Sequence, residues 1–370
     1  MKHITSTNLA NWAPKRDCQE NFPLLIRRLI RSSPVQIVKM LFPAGDNVIL
    51  PGFDGTLQVN ECSLYIPAGE SKWEIGTGRD YKDKFNQDYT KRTGNLSSDV
   101  RSELSFVFAT PYVWADKEQL LNKKREEHAW KDIVIIDGQV LEEWIDSLPP
   151  VSSWLAKFLN LPQGYTLPLD QFWKEWTTNQ TYTLPVSLIT YGRDVEANKI
   201  FDFLVAPPGS LLLKANTAIE ALAFVAATIE RMEHEIKETL FAKAVIVENE
   251  QIFRELAVSK SSMILVVGFD NDTLLDLAVK NGHHVIFPIG NELTAASSVD
   301  LELPRIHRTG FEKGLEEMGL DWKEAERLIK DSGLSLTVLR RLLKFDKNKQ
   351  PAWARDGSQT DIIPALLAGR

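Results

Sequence analysis

The sequence predicts an α/β protein built from two successive α/β regions. In the first region, short strands and amphipathic helices are mixed. In the second, continuous apolar strands alternate with helices, which is typical of a parallel sheet covered on both faces. A third stretch, residues 309–344, shows only helical periodicity and is broken near its middle by Gly333. The chain has 370 residues, which is long enough for two or three compact cores.

Composition excludes several classes of protein. The chain is 44% hydrophobic and 25% charged, and its net charge of −7 argues against indiscriminate binding to nucleic acid. It has no apolar run of transmembrane length and no apolar stretch of the signal-peptide type, so we predict a cytoplasmic protein without membrane association. Cys18 and Cys62 are far apart and belong to no metal-binding spacing, and we predict two small buried thiols.

The first region is predicted to begin with an amphipathic helix. In "CQENFPLLIRRLIRSS" the apolar residues recur at helical spacing, and Arg27, Arg28 and Arg31 are predicted to form a basic outer face. The segments "VILPGFDGTLQV", "CSLYIPAG" and "SKWEIG" are separated by proline and glycine turns and predict a meander of strands.

The rest of the first region predicts helix, two strands and a closing helix. "DYKDKFNQDYTKRTG" predicts a helix that begins after an N-cap at Asp80 and stops at Gly94. "ELSFVFATP" and "KDIVIIDG" predict buried strands, and "QVLEEWIDSL" predicts the closing helix. Residues 161–185, with several prolines and aromatic residues, predict a linker or a docking segment. The strands predicted beyond it are "SLLLKA", "KAVIVEN", "SMILVVGF", "HHVIFPI" and "DLELP".

Two acidic residues in the first region have the spacing expected of a metal site. Asp54 lies in "GFDGT" at the entry to a predicted strand, and Glu74 follows twenty residues later in "KWEIG", which leaves room for a hairpin that brings the two strands side by side. Phosphodiester hydrolysis uses a hard cation that binds the phosphate and acidifies a water molecule, and such cations prefer carboxylate and carbonyl oxygens. Asp54 and Glu74 are therefore candidate ligands, although each residue alone is equally typical of a turn or a strand edge.

These segments, in this order, resemble the PD-(D/E)XK nuclease superfamily, in particular the Mrr-like branch of restriction endonucleases. The resemblance extends over about residues 15–160 and includes "GFDG", "KWEIG", "DYKDK" and "WKDIVIIDG". It implies that Asp54, Glu74 and the carbonyl of Ile75 hold Mg²⁺ or Mn²⁺. Glu20 matches a helical position where the superfamily often carries a further acid close to the metal.

The lysine of the superfamily motif is missing from its usual position. It would stand two residues after the second acid, where this chain has Gly76. In some members the lysine comes from the following helix, which makes Lys84 and Lys82 the candidates. We favour Lys84 because it shares a predicted helix face with Asp88 and Lys91, next to an apolar stripe that would seat the helix on the sheet.

The second region resembles STAND and other AAA-like NTPases in its lead-in, "YGRDVEANKIFDFL", but lacks their phosphate-binding loop. A P-loop needs GxxxxGK[ST], whereas this chain continues with "NTAIEALAF". Asn216 and Thr217 predict a helix N-cap supported by Glu220. Glu248 stands alone where an active ATPase would carry an acidic pair. We therefore predict a degenerate NTPase-like domain that does not hydrolyse nucleotide.

Together these patterns predict a PD-(D/E)XK-like domain at 1–160, a linker at 161–185, a degenerate P-loop-NTPase-like domain at 186–305 and a helical lid-like segment at 306–370. The predicted function is a Mg²⁺-dependent DNA endonuclease in bacterial anti-phage defence, regulated or assembled by the NTPase-like part. DNA and further copies of the same chain are the expected partners, since one site cuts one strand. A phage component or a C-terminal sensor region is a further candidate partner.

A second hypothesis from a different class stays open. Gly76 and the missing P-loop are also what we expect of a catalytically inactive nuclease fold that senses a partner and assembles as a scaffold.

Overall fold

A computed structural model describes residues 4–43, 52–162, 164–178, 182–269, 272–291 and 299–344. The fold is mixed α/β with two mixed β-sheets. Unit 1 comprises Met1–Gln171, Phe203–Leu211 and Met232–Phe287, and unit 2 comprises Phe172–Asp202, Leu212–Arg231 and Pro288–Arg370. The limits of these compact units differ from the predicted domain boundaries. The domain assignment therefore stays a prediction. No helix among the described residues is long and apolar enough to cross a membrane.

The helices before β7 are α1 (Ser6–Trp12), α2 (Arg16–Ser32), α3 (Tyr81–Asn95), α4 (Ser98–Arg101), α5 (Lys117–Glu126), α6 (Gly138–Asp146), α7 (Pro149–Phe158), α8 (Leu169–Thr177), α9 (Val186–Thr190) and α10 (Asp194–Val205), where β7 is the strand Ser210–Lys214. Those that follow are α11 (Ala218–Glu230), α12 (His234–Lys243), α13 (Glu250–Ala257), α14 (Asp272–Lys280), α15 (Arg308–Glu317), α16 (Trp322–Ser332) and α17 (Leu336–Lys344).

The first sheet has five strands in sequence order. They are β1 (Ile37–Leu41), β2 (Gly55–Val59), β3 (Gly69–Ile75), β4 (Leu104–Ala109) and β5 (Asp132–Ile136). The pairs β1–β2 and β2–β3 are antiparallel, whereas β3–β4 and β4–β5 are parallel. The strands predicted around "ELSFVFATP" and "KDIVIIDG" are confirmed, and β1 is an edge strand that the sequence analysis does not predict.

Helices cover both faces of this sheet. One apolar cluster joins α2, α6 and α7 to the face that carries Trp73 and Val107. The other joins α3 and α5 to the opposite face, which carries Phe106 and Phe108. The helix predicted from Asp80 is thereby confirmed, although it continues through Gly94 to Asn95. Glu74, next to Trp73 on β3, faces α3 because successive side chains of a strand point to opposite faces.

The prediction of a basic outer face on α2 is wrong. The side chain of Arg31 is only 3% exposed, and those of Arg27 and Arg28 are 18% and 12% exposed. All three arginines make ion pairs within unit 1, with Glu238, Asp170 and Glu235. Helical periodicity identifies residues that share a face, but it cannot show that another helix, here mainly α12, covers that face.

The predicted strand at "CSLYIPAG" is also wrong, because only its last residue, Gly69, belongs to β3. The preceding residues form a loop outside the sheet. Tyr65 stacks on Trp144 of α6 with 5.1 Å between ring centroids. Cys18 is buried as predicted, but Cys62 lies in this loop and is exposed, so that part of the cysteine prediction is wrong.

The second sheet has the strand order β11-β7-β10-β9-β8-β6. Its strands are β6 (Thr166–Pro168), β7 (Ser210–Lys214), β8 (Ala244–Val247), β9 (Ile264–Val267), β10 (His284–Ile289) and β11 (Leu301–Glu302). The pairs β11–β7, β10–β9 and β9–β8 are parallel, and β6 is antiparallel to β8. All five strands predicted for the second region are present. The sixth, β6, comes from the segment predicted as a linker or docking segment.

The helical stretch near the C-terminal end is confirmed for the described residues. Helices α15, α16 and α17 follow β11, and Gly333 ends α16 in the left-handed conformation, with φ 57°. Glycine tolerates this conformation, so it stops the helix at the position the sequence predicts.

Candidate active site

The antiparallel pairing of β2 with β3 brings the two predicted acids together. Gly55 pairs with Trp73, which places Asp54, just before β2, beside the end of β3. The carboxylate Oδ2 of Asp54 accepts a hydrogen bond from the backbone N–H of Ile75 at 2.8 Å. This bond fixes the Asp54 carboxylate at the end of the strand that carries Glu74, as the spacing in the sequence predicts.

Glu74 is buried, with only 1% of the residue exposed. Burial and, to a smaller extent, the negative charge of Asp54 raise its pKa to about 8, although a hydrogen bond from Arg92 acts in the opposite direction. Two carboxylates that share a poorly solvated site cannot both ionise easily. The pair therefore has the electrostatic property expected of a cation site: it accepts either a proton or a positive charge near neutral pH.

Lys84 lies on the first half of α3, close to both acids. Its ammonium group binds Asp88 at 2.7 Å. Burial alone would lower the pKa of Lys84, but the hydrogen bond with Asp88 and the charges of Asp88, Asp54 and Glu74 outweigh this effect and raise it. The charges of the two acids thus act on Lys84, as expected for a lysine supplied from the helix.

Gly76 stands at the usual lysine position because an aromatic ring fills the space beside it. A Cβ atom at Gly76 would lie 2.5 Å from Cζ of Phe108, which is closer than real contacts allow. Phe108 is fully buried on β4, and its ring packs edge-on against Phe85 of α3, with 5.4 Å between centroids. A lysine at this position would have to displace a buried aromatic cluster.

The other two predicted site residues lie elsewhere. Lys82 is half-exposed and makes an ion pair with Asp116 at 2.5 Å. Glu20, on α2, pairs with Arg16 at 2.9 Å. The structure therefore brings Asp54, Glu74 and Lys84 together, but not Lys82 or Glu20.

Arg92 is the member of this site that the sequence analysis misses. Its Nε donates a hydrogen bond to Oε1 of Glu74 at 2.5 Å, and its Nη2 donates to the carbonyl oxygen of Gly52. The guanidinium also stacks over the ring of Phe53, 4.5 Å from its centroid. Arg92 follows Lys84 by two helical steps of four residues, a spacing that could have identified it. Lys91, which the sequence analysis placed on this face, is exposed.

The donor atoms fit a hard divalent cation. Carboxylate and carbonyl oxygens are the ligands that Mg²⁺ prefers, and Asp54, Glu74 and the carbonyl of Ile75 would supply them. Within the described residues, no group of three or more His, Cys, Asp and Glu side chains is suited to a metal. The predicted ligand set is of a different kind, with two carboxylates and one backbone oxygen.

Unit 2 has a buried ion pair in the first turn of α11, the helix that follows β7. Thr217 caps α11 as predicted, since its side chain accepts a hydrogen bond from the N–H of Glu220. The Glu220 carboxylate binds Arg193 at 2.6 Å, and these side chains are 7% and 1% exposed. Arg193 also donates to the carbonyl of Pro304 at 2.9 Å. A buried carboxylate in the first turn of α11 opposes phosphate binding there, because the helix N-terminus is already compensated.

Comparison with known proteins adds no family assignment. No known protein family matches the chain, and no curated protein matches it significantly. The resemblance to PD-(D/E)XK nucleases and to STAND-like NTPases therefore stays a prediction from the motifs. The function has to be inferred from the geometry and electrostatics around Glu74.

Proposed function

We propose that Asp54, Glu74 and Lys84 form the active site of a metal-dependent DNA endonuclease. The observation that carries the proposal is the coupled acidic pair: Glu74 is buried beside Asp54, and its pKa rises to about 8 as a result. Two carboxylates held this close together in a poorly solvated site favour binding of a cation. Lys84, whose pKa is influenced by both carboxylates, supplies the third group expected of such a site.

Each residue has a distinct role in the proposed reaction. Asp54, Glu74 and the Ile75 carbonyl would hold Mg²⁺ or Mn²⁺, which when bound polarises the scissile phosphate and lowers the pKa of a water molecule. The ammonium group of Lys84 orients that water and offsets the charge that develops on the phosphate. Asp88 positions Lys84 through their 2.7 Å ion pair. The buried surroundings of Glu74 strengthen these electrostatic interactions by excluding solvent.

Cleavage of supercoiled plasmid and linear phage DNA tests the proposal directly. Wild-type protein is incubated with Mg²⁺ or Mn²⁺ and compared with Asp54→Asn, Glu74→Gln and Lys84→Ala. We expect cutting to fall by at least a hundredfold in each variant, within the range that loss of a positioned charge produces. Lys82→Ala is the matched control, since Lys82 pairs with Asp116, and it should cut at the wild-type rate.

A catalytically inactive scaffold is the second candidate, and one observation favours it. Arg92 already pairs with Glu74, so the acidic pair has a counter-charge without any metal. On this hypothesis wild-type protein binds a partner or assembles but leaves DNA intact with either cation.

The cleavage assay also tests which lysine acts in the proposed site. Loss of cutting by Lys82→Ala, with cutting retained by Lys84→Ala, would move the lysine role to Lys82.

The wider biological role rests on the resemblance. We propose that the cleaved DNA is that of an invading phage and that the second region controls activity or brings copies of the chain together. Two copies would supply the two sites needed for a double-strand break. Phage plaque counts on cells that express wild type or Glu74→Gln test this role, and equal plaque counts would contradict it.

A further inference from the structure

The guanidinium of Arg92 is bound by oxygen atoms of the protein, as a metal cation would be. Two of its nitrogens donate to two oxygens of different kinds, the carboxylate of Glu74 and the carbonyl of Gly52. Gly52 has φ 142°, a conformation that favours glycine. The side chains of Arg92 and Glu74 are 12% and 2% exposed, so this pair is largely removed from water.

The oxygens bound by Arg92 are the donor types that a hard cation takes from a protein. Glu74 is buried beside Asp54 and needs a positive partner whenever it is ionised. A guanidinium at hydrogen-bond distance repels a divalent cation that approaches the same carboxylate. Arg92 and a divalent cation therefore compete for Glu74.

We propose that Arg92 is a built-in counter-cation that closes the metal site, and that a divalent cation binds Glu74 only when the guanidinium leaves it. This inference rests on the proposed function, because it concerns the same acidic pair. It assigns Arg92 a regulatory role. When Glu74 is ionised, its pair with Arg92 carries no net charge and keeps the site closed at low cation concentration, and any contact that draws Arg92 away opens it.

Binding of Mn²⁺ to the full chain tests this competition without measuring activity. Free Mn²⁺ is quantified by its electron paramagnetic resonance signal at pH 8.0 under argon, without DNA, for wild type and Arg92→Gln. We expect Arg92→Gln to bind Mn²⁺ at least tenfold more tightly, because the competing charge is gone. Lys91→Gln removes the same charge from the next residue, which is exposed, and should stay within twofold of wild type.

The outcomes separate this inference from the proposed function. If wild type binds Mn²⁺, and Asp54→Asn and Glu74→Gln abolish binding, the metal site stands. Equal or weaker binding by Arg92→Gln then overturns only the role of Arg92. If no variant binds Mn²⁺, both proposals fail.

Circular dichroism would detect misfolding of Arg92→Gln, and in that case a second variant, Arg92→Lys, tests the inference. Arg92→Lys keeps the charge but lacks the fork that reaches Glu74 and Gly52 together. We expect it to bind Mn²⁺ at least threefold more tightly than wild type. Unchanged affinity in a folded Arg92→Lys, with Arg92→Gln unfolded, would overturn the inference.

Discussion

Replacement of Glu74 by glutamine should make the protein more stable at alkaline pH. The pKa of Glu74 is raised from an ordinary value of 4.5 to about 8 by burial and by the charge of Asp54. The folded protein therefore holds a proton at Glu74 that the unfolded chain has already released. Stability falls as pH rises through this interval, because the unfolded state binds fewer protons there.

The difference between the ordinary pKa of a glutamate and the raised pKa of Glu74 sets the size of this pH-dependent loss of stability. Each tenfold difference in acidity corresponds to about 1.4 kcal/mol, so the rise to about 8 sets an upper limit of about 5 kcal/mol lost between pH 4.5 and pH 8. The opposing hydrogen bond from Arg92 and relaxation of the site reduce this figure. We expect Glu74→Gln to be about 1–3 kcal/mol more stable than wild type at pH 8, and no more stable than wild type at pH 5.

Denaturant unfolding at pH values from 5 to 8.5, in buffer with a chelator, measures this effect. The difference between variant and wild type at each pH cancels the titration of groups that do not interact with Glu74. Glu70→Gln is the matched control, since Glu70 lies on the same strand with its side chain 41% exposed. Its difference from wild type should not change with pH.

A constant difference between Glu74→Gln and wild type across this pH range would refute the reasoning. So would a stability advantage of the variant that grows toward acidic pH. Either result would mean that Glu74 is ionised in the folded protein throughout, with Arg92 as a sufficient partner. The acidic pair would then lose the electrostatic argument for a metal site.

Four further substitutions test the packing and the buried ion pairs. Gly76→Lys should lose about 1–3 kcal/mol in denaturant unfolding and gain no nuclease activity, because Phe108 blocks its Cβ; wild-type stability would contradict this. Arg193→Met should lower the free energy of unfolding by about 3–5 kcal/mol, because it leaves the buried carboxylate of Glu220 without its ion-pair partner. The double variant Arg193→Met/Glu220→Met should regain part of this loss. Arg31→Met should lose only about 1–2 kcal/mol, because its carboxylate partner is 67% exposed. Equal losses at the two arginines would refute this reasoning.

Strands and helices with a strong periodic signal were predictable from the sequence. The strand at "SMILVVGF" has a continuous apolar pattern, and the helix that carries Phe85 has apolar residues at helical spacing. Both patterns can be recognised within the segment itself. The loop at "CSLYIPAG" has a similar apolar content, but Tyr65 stacks on Trp144, which is distant in the sequence. A tertiary contact of this kind overrides the local pattern and has no signal within the segment.

The acidic pair was predictable from the sequence, whereas the role of Arg92 was not. Asp54 and Glu74 sit at the ends of two strands joined by a hairpin, so sequence spacing alone brings them together. Arg92 lies three-quarters of the way along a helix rich in charged residues, several of which have the same helical spacing. Its selection depends on how α3 packs on the sheet, through Phe85 and Tyr89, which places one helical face over β3.

The absence of a lysine at position 76 and the presence of one on α3 have a common structural cause. The Phe108 ring that excludes a side chain at Gly76 is the ring against which Phe85 packs. Phe85 immediately follows Lys84, so the contact that closes the usual lysine position also fixes the first half of α3 beside the strand ends. Smaller residues at 85 or 108 would open the space at Gly76 but would release the helix that holds Lys84. The packing of the aromatic cluster is therefore compatible with a side chain at position 76 or with a helix fixed at Lys84, but not with both.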